Sequence, residues 1–230
     1  MRTGMILNAM ICFSIFIFAF LTSLTIWRKK KNQADIAFAF FWLAVAITWL
    51  FVAISLMLYK YGYFSYDLLL NQYGVQTAIS LEIIAGIFYA VNRVTKNKAI
   101  SWLITIIFIF ISIVGLLYNF TPGSVVYRGD SFFSVEYTLN EITWDLFQAM
   151  FICIILGVLF DLLRNCYFWL KKKELYEKKY LAVGLAAVVY GIIGYFDQQG
   201  HLFVWISLLL RSTIIFIIGI IYLAYNEQEI

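Results

Sequence analysis

The chain has 230 residues, of which 63% are hydrophobic and only 13% charged, with a mean hydropathy of +0.87 and a formal net charge of +4. A single soluble core of this length cannot bury so much apolar surface, whereas a bilayer asks about 20 apolar residues of each spanning helix; the composition excludes a soluble domain and implies an all-α membrane protein. The basic residues flank apolar runs instead of forming one patch, so they speak to topology and give no sign of nucleic-acid binding.

Seven spans are expected, over residues 4–27, 35–59, 69–93, 99–118, 141–169, 180–199 and 201–225, which makes 1–230 a single seven-transmembrane helix bundle. The first begins almost at Met1 and meets no A-x-A-like site before its basic flank, so it reads as a retained helix and not as a signal peptide. Arg28, Lys29, Lys30 and Lys31 follow it; Arg93, Lys96 and Lys98 follow the third span; Arg164, Lys171, Lys172, Lys173, Lys178 and Lys179 surround the end of the fifth. These are thirteen of the seventeen Lys and Arg residues, and in a seven-span chain they share one side. Only Arg2, Lys60 and Arg128 fall on the other, so the positive-inside rule puts the N-terminus outside a multi-pass protein of the cytoplasmic membrane.

Between spans four and five, Asn119 to Asn140 contains strand-like runs at Val125–Tyr127 and Phe132–Tyr137 around Arg128, Gly129 and Asp130, which predicts a short external β-hairpin that could close the bundle. The RGD tripeptide carries no adhesion assignment, and the Asn119-Phe120-Thr121 sequon matters only in a eukaryotic secretory pathway. The fifth span runs past Trp169 into a basic helical extension, where Glu174 and Lys178 stand at i and i+4, a place for a cytoplasmic partner or simply a solvated turn. In the sixth span Gly184, Ala187, Gly191 and Gly194 form a small-residue ridge suited to close helix packing, and Asp197 continues that face to the outer end, as a polar stop or part of a ligand site.

Charged residues inside the spans are few, and each needs a partner because an uncompensated charge at the bilayer centre costs at least about 2.5 kcal/mol. Arg211 lies about 15 Å and Glu82 roughly 20 Å from the outer ends of their helices at 1.5 Å per residue, so an ion pair in the bundle interior is expected, with Tyr89 and Ser207 on neighbouring turns taking spare hydrogen bonds. That centre could fix packing or act on a ligand, a proton or a conformational change. Asp161 and Arg164, at i and i+3 near the cytoplasmic end of the fifth span, suggest a local salt bridge.

Cys12, Cys153 and Cys166 form no C-x-x-C pair, and His201 is the only histidine, so no metal site is expected. No lysine occurs in 201–225 to carry a retinal Schiff base, so no cofactor is expected. The last span has no N-P-x-x-Y motif, Asn92-Arg93-Val94 is a faint echo of a receptor triplet, and Pro122 is the only proline, which leaves no Pro-broken transporter helix. Trp27 to Leu50, LLYNFTPG at 116–123 and KKKELYEKKYLAVGLAAVVYGIIGYF at 171–196 resemble the seven-helix N-terminal sensor region that precedes some bacterial and archaeal histidine kinases and diguanylate cyclases. The resemblance implies a receptor or sensor module that shifts its helices on binding a small or lipid-like ligand. The sequence stops at Ile230 soon after the last span, so either signalling would need a separate cytoplasmic or membrane partner, or the chain is a fragment of a larger sensor. A small-ion or proton transporter and an assembly subunit of a membrane complex stay open as alternatives; an enzyme is not expected, for no nucleophile constellation is present.

Overall fold

Asparagines mark two of the helix starts. The extended backbone of Asn32 (φ −149°, ψ 176°) lets its side chain accept from Asp35 N at 2.9 Å, satisfying one of the four orphan N–H groups of a helix. Helix α2 (Gln33–Lys60) therefore begins there, just after α1 (Thr3–Arg28). Asn97 accepts from Ala99 N at 3.0 Å and Ile100 N at 3.3 Å and starts α5 (Lys98–Asn119) in the same way. Gly62, at φ +87°, supplies the left-handed turn that ends α2. The computed structural model of the chain describes residues 3–30, 32–95, 97–130, 135–172, 178–198 and 204–226.

After the Gly62 turn one rod runs over Phe64–Thr95, longer at its start than the expected span 69–93. It consists of α3 (Phe64–Leu69), a π-helical segment (Leu70–Val75) and α4 (Gln76–Thr95). The long α6 (Glu141–Lys172), α7 (Lys178–Gln198) and α8 (Val204–Asn226) complete the helices. Between α5 and α6, β1 (Val126–Asp130) pairs antiparallel with β2 (Val135–Thr138), and the register slips between Tyr127 and Gly129. The Phe132–Ser134 part of the expected strand, Lys31, Lys96, Lys173, Glu174 and His201 lie outside the described residues.

Packing runs from α1 to α2, α4, α6, α7 and α8 and back to α1, which closes a ring; α5 lies outside it, against α4 and α6. Trp42, Phe38, Ile83, Phe147, Ile214 and Ile218 are fully buried between these helices. Where lipid tails are as apolar as leucine, close van der Waals fit does the work of association, and the ridge on α7 provides it. A Cβ on Gly191 would stand 2.8 Å from Ile155 Cγ1, and one on Gly184 would stand 3.2 Å from Leu162 Cδ1, so α7 lies tight on α6.

Six helices among the described residues are long and apolar enough to cross a membrane: Gly4–Arg28, Gln33–Lys60, Phe64–Thr95, Lys98–Asn119, Glu141–Phe168 and Ile206–Asn226. Of the expected sixth span, 180–199, residues 180–198 are helical in α7, but the described apolar stretch, Val183–Phe196, is shorter than the others. The all-α bundle of apolar helices is thus present.

Candidate functional site, a polar cavity inside the helix ring

A cavity of about 210 Å³ lies inside the ring, walled by α2, the third rod, α6, α7, α8 and the β-pair. Glu82, Ser207 and Arg211 all line it. Glu82 and Arg211 nevertheless do not meet: among the described residues no ion pair joins them, and each is held by other groups. Glu82 accepts from Tyr190 Oη of α7 at 2.9 Å and from Thr48 Oγ1 of α2 at 3.4 Å. Arg211 NH1 donates to Asn8 Oδ1 of α1 at 3.0 Å and lies 3.9 Å from Cys12 Sγ.

The two charges flank one turn of α2. Thr48 touches Glu82, and the next residue, Trp49, presents its ring to the Arg211 guanidinium at 5.4 Å. Glu82 and Arg211 thus line one cavity, and the expected ion pair between them is not formed. Depth along a helix was accessible from the sequence; the rotation of each helix about its axis, which decides whether two side chains face each other, was not. Ser207 lines the cavity one turn before Arg211. Tyr89 does not: it stacks on Phe38 at 4.6 Å and borders a separate small hollow of about 20 Å³ with Phe41 and Gly191. Asp197 is in the last turn of α7, with a side chain outside the described residues, while Gly194 opens onto the cavity.

Toward the β-pair, behind Ser55, Asn71 and Tyr137 of the cavity wall, stands a second acidic group. Asp67, fully buried at the start of the third rod, accepts from Ser55 Oγ of α2 at 2.5 Å, from Asn71 Nδ2 at 3.0 Å and from Tyr137 Oη of β2. The π-helical segment makes this possible, because its extra residue per turn rotates Asn71 and Gln72 relative to a continuous α-helix; such segments recur at functional sites. Gln72 Nε2 in turn donates to Asn119 O at 3.0 Å and Thr121 O at 3.1 Å, and Asn119 Nδ2 returns a bond to Gln72 O at 2.8 Å. The rod is thereby fastened to the segment entering the β-pair.

Two tyrosines fix the β-pair itself. Tyr59 Oη of α2 donates to Tyr127 Oη at 2.8 Å, and Tyr127 Oη donates to Asp130 Oδ1 at 2.7 Å. Hydrogen-bonded to Tyr59, the Tyr127 phenol is held above its usual pKa by donation to the Asp130 carboxylate, which a phenolate would lose. Burial, and then donation to Asp67, raises that of Tyr137. Both phenols therefore stay neutral and able to donate throughout the physiological range.

At the opposite end, Asp161 is bound by more than its i+3 neighbour. Arg164 NH2 reaches Asp161 Oδ1 at 2.6 Å, Arg93 Nε of α4 reaches Oδ2 at 2.9 Å, and Asn165 Nδ2 adds a bond at 3.1 Å. Arg164 also caps α4, donating to Arg93 O at 2.7 Å and Val94 O at 3.0 Å. Sequence spacing signalled the local pair; the interhelical arginine left no such trace. On the same ring, Lys29 Nζ at the end of α1 caps α8 at Tyr225 O (3.0 Å), and Tyr225 Oη donates to Asp35 Oδ1 at 3.1 Å.

Comparison of the chain with protein-family models, with curated proteins and with solved structures gives no match.

Proposed function

We propose that the chain is a seven-span membrane receptor or sensor module whose central cavity takes a small or lipid-like ligand and whose basic end faces the cytoplasm. One observation carries the reading: a single cavity is shared by Glu82, Arg211 and Ser207 and bordered by Tyr137 of the β-pair, so a ligand there would touch five of the helical rods at once. The seven-span count is supported by the bond from Lys29, at the end of α1, to the end of α8. First and last helices that finish together run in the same direction, as an odd number of crossings requires. With the basic flanks inside, the N-terminus and the β-pair are outside.

In this reading the ligand replaces or shifts the neutral donors on Glu82 and the amide acceptor on Arg211, and α7 and α8 move against α2 and α4. Helix α6 carries the shift inward: its 32 residues span about 48 Å, beyond a hydrocarbon core of about 30 Å. Signalling then passes to a separate partner. A second reading, a small-ion or proton transporter, draws on the same observation, since an acid and a cation line one hollow.

The test is a side-by-side recovery of tagged wild type and Glu82→Gln from native membranes in mild detergent. Co-purification of a kinase, cyclase or other cytoplasmic effector whose activity the substitution changes supports the sensor. An integral membrane complex unaffected by the substitution overturns it in favour of an assembly subunit. A chain recovered alone, whose flux in liposomes is lost on Glu82→Gln, overturns it in favour of the transporter.

A further inference from the structure

The outer face of the ring carries a second hollow that the proposed function does not use. Helices α2 and α5 both pack on α4. Between them runs an apolar groove of about 470 Å³, lined by Phe40, Leu43, Leu81, Ala85, Phe88 and Trp102. Phe40, Leu81 and Trp102 are about half exposed, so the groove faces outward and not into the bundle. At its basic end it meets a polar hollow of about 310 Å³, and Gln33 belongs to both; Asn32, Asn92, Arg93 and Lys98 line the polar part.

We propose that this composite groove binds one anionic phospholipid of the leaflet at the basic end, with an acyl chain between α2 and α5 and the phosphodiester among Asn92, Arg93, Lys98 and Asn32. Any lipid-facing groove meets acyl chains; the polar end is what makes this one selective. Arg93, Arg164 and Lys98 there are opposed by Asp161, which binds both arginines, and by buried Asp35, which accepts from Tyr225, so three cations face two carboxylates and the local balance is positive. Lys98 is exposed at the first residue of α5, able to reach a head group. Asn92 spends one amide hydrogen on Phe88 O at 2.8 Å, and the amide has a second to donate. Basic hollows between helices at the cytoplasmic side are suited to anionic head groups, and the adjoining apolar groove selects a lipid over a free anion. The site lies outside the ring and stands whether or not the cavity binds a ligand.

The experiment is native mass spectrometry of the detergent-solubilised chain with equimolar phosphatidylglycerol and phosphatidylcholine of equal chain length, repeated with dihexanoyl phosphatidylglycerol. Wild type is expected to retain the anionic lipid preferentially. Lys98→Gln lowers that preference about fivefold, the equivalent of about 1 kcal/mol per cation near the head group. Lys60→Gln, a change near the β-pair, leaves it unchanged, and the six-carbon lipid is retained less than its long-chain counterpart. Equal retention of the two long-chain lipids, an unchanged preference in Lys98→Gln, or retention of the short-chain lipid equal to the long would each overturn the proposal.

Discussion

Asp67, beside the β-pair, and Asp161, at the basic end, are both buried carboxylates, yet their partners differ in kind. Asp161 is held by two guanidinium groups from two helices and an amide. Asp67 is held by a serine, a tyrosine and an asparagine, all neutral. Glu82, at the end of the cavity away from the β-pair, follows the pattern of Asp67, with two hydroxyls. A charge-assisted clamp is strong and hard to replace, whereas neutral hydrogen bonds contribute about 1 kcal/mol each and can be exchanged for a ligand's donors. The ring is thus pinned at its basic end by ionic contacts, and adaptable from the cavity to the β-pair.

The largest effect is expected where the clamp is broken. Asp161→Asn leaves Arg93 and Arg164 facing one another without their carboxylate, and should cost about 3 kcal/mol of stability, read as a lowered thermal midpoint in detergent. Loss of less than about 1 kcal/mol would remove the contrast between the ends. A smaller effect belongs to Tyr137→Phe, which takes one neutral donor from Asp67: about 1 kcal/mol, with faster amide exchange confined to β1 and β2. Exchange that rises equally in α4 and α6 would mean that the β-pair is not a separate unit. Smallest is Glu82→Gln, whose amide oxygen can still accept from Tyr190 and Thr48; stability should change by less than about 1 kcal/mol while the functional readout moves.

The apolar runs were legible as helices because their lengths and flanks leave few alternatives: the second expected span, 35–59, lies within Gln33–Lys60, and the fourth, 99–118, within Lys98–Asn119. The third rod begins before the expected span 69–93 because the polar and aromatic residues from Phe64 to Asp67 make no continuous apolar run, and the π-helical segment has no hydropathy signature. Depth arithmetic carried Glu82 and Arg211 into one cavity, but their partners, Tyr190 and Asn8, are 108 and 203 residues away in sequence and depend on helix rotation. Thr48, Ser55 and Tyr137 were invisible as site residues, since hydroxyls are common in apolar helices and only the tertiary arrangement turns them toward an acid.

The cavity is most directly tested by thiol labelling of Ser207→Cys, in a chain whose Cys12, Cys153 and Cys166 are replaced by alanine, with a membrane-impermeant maleimide applied to either face of sealed vesicles. Labelling only from the face that carries the N-terminus is expected, because the cavity that Ser207 lines extends to the β-pair. Labelling only from the basic face, or none from either face in a folded chain, would contradict a ligand-accepting cavity beneath an external β-pair.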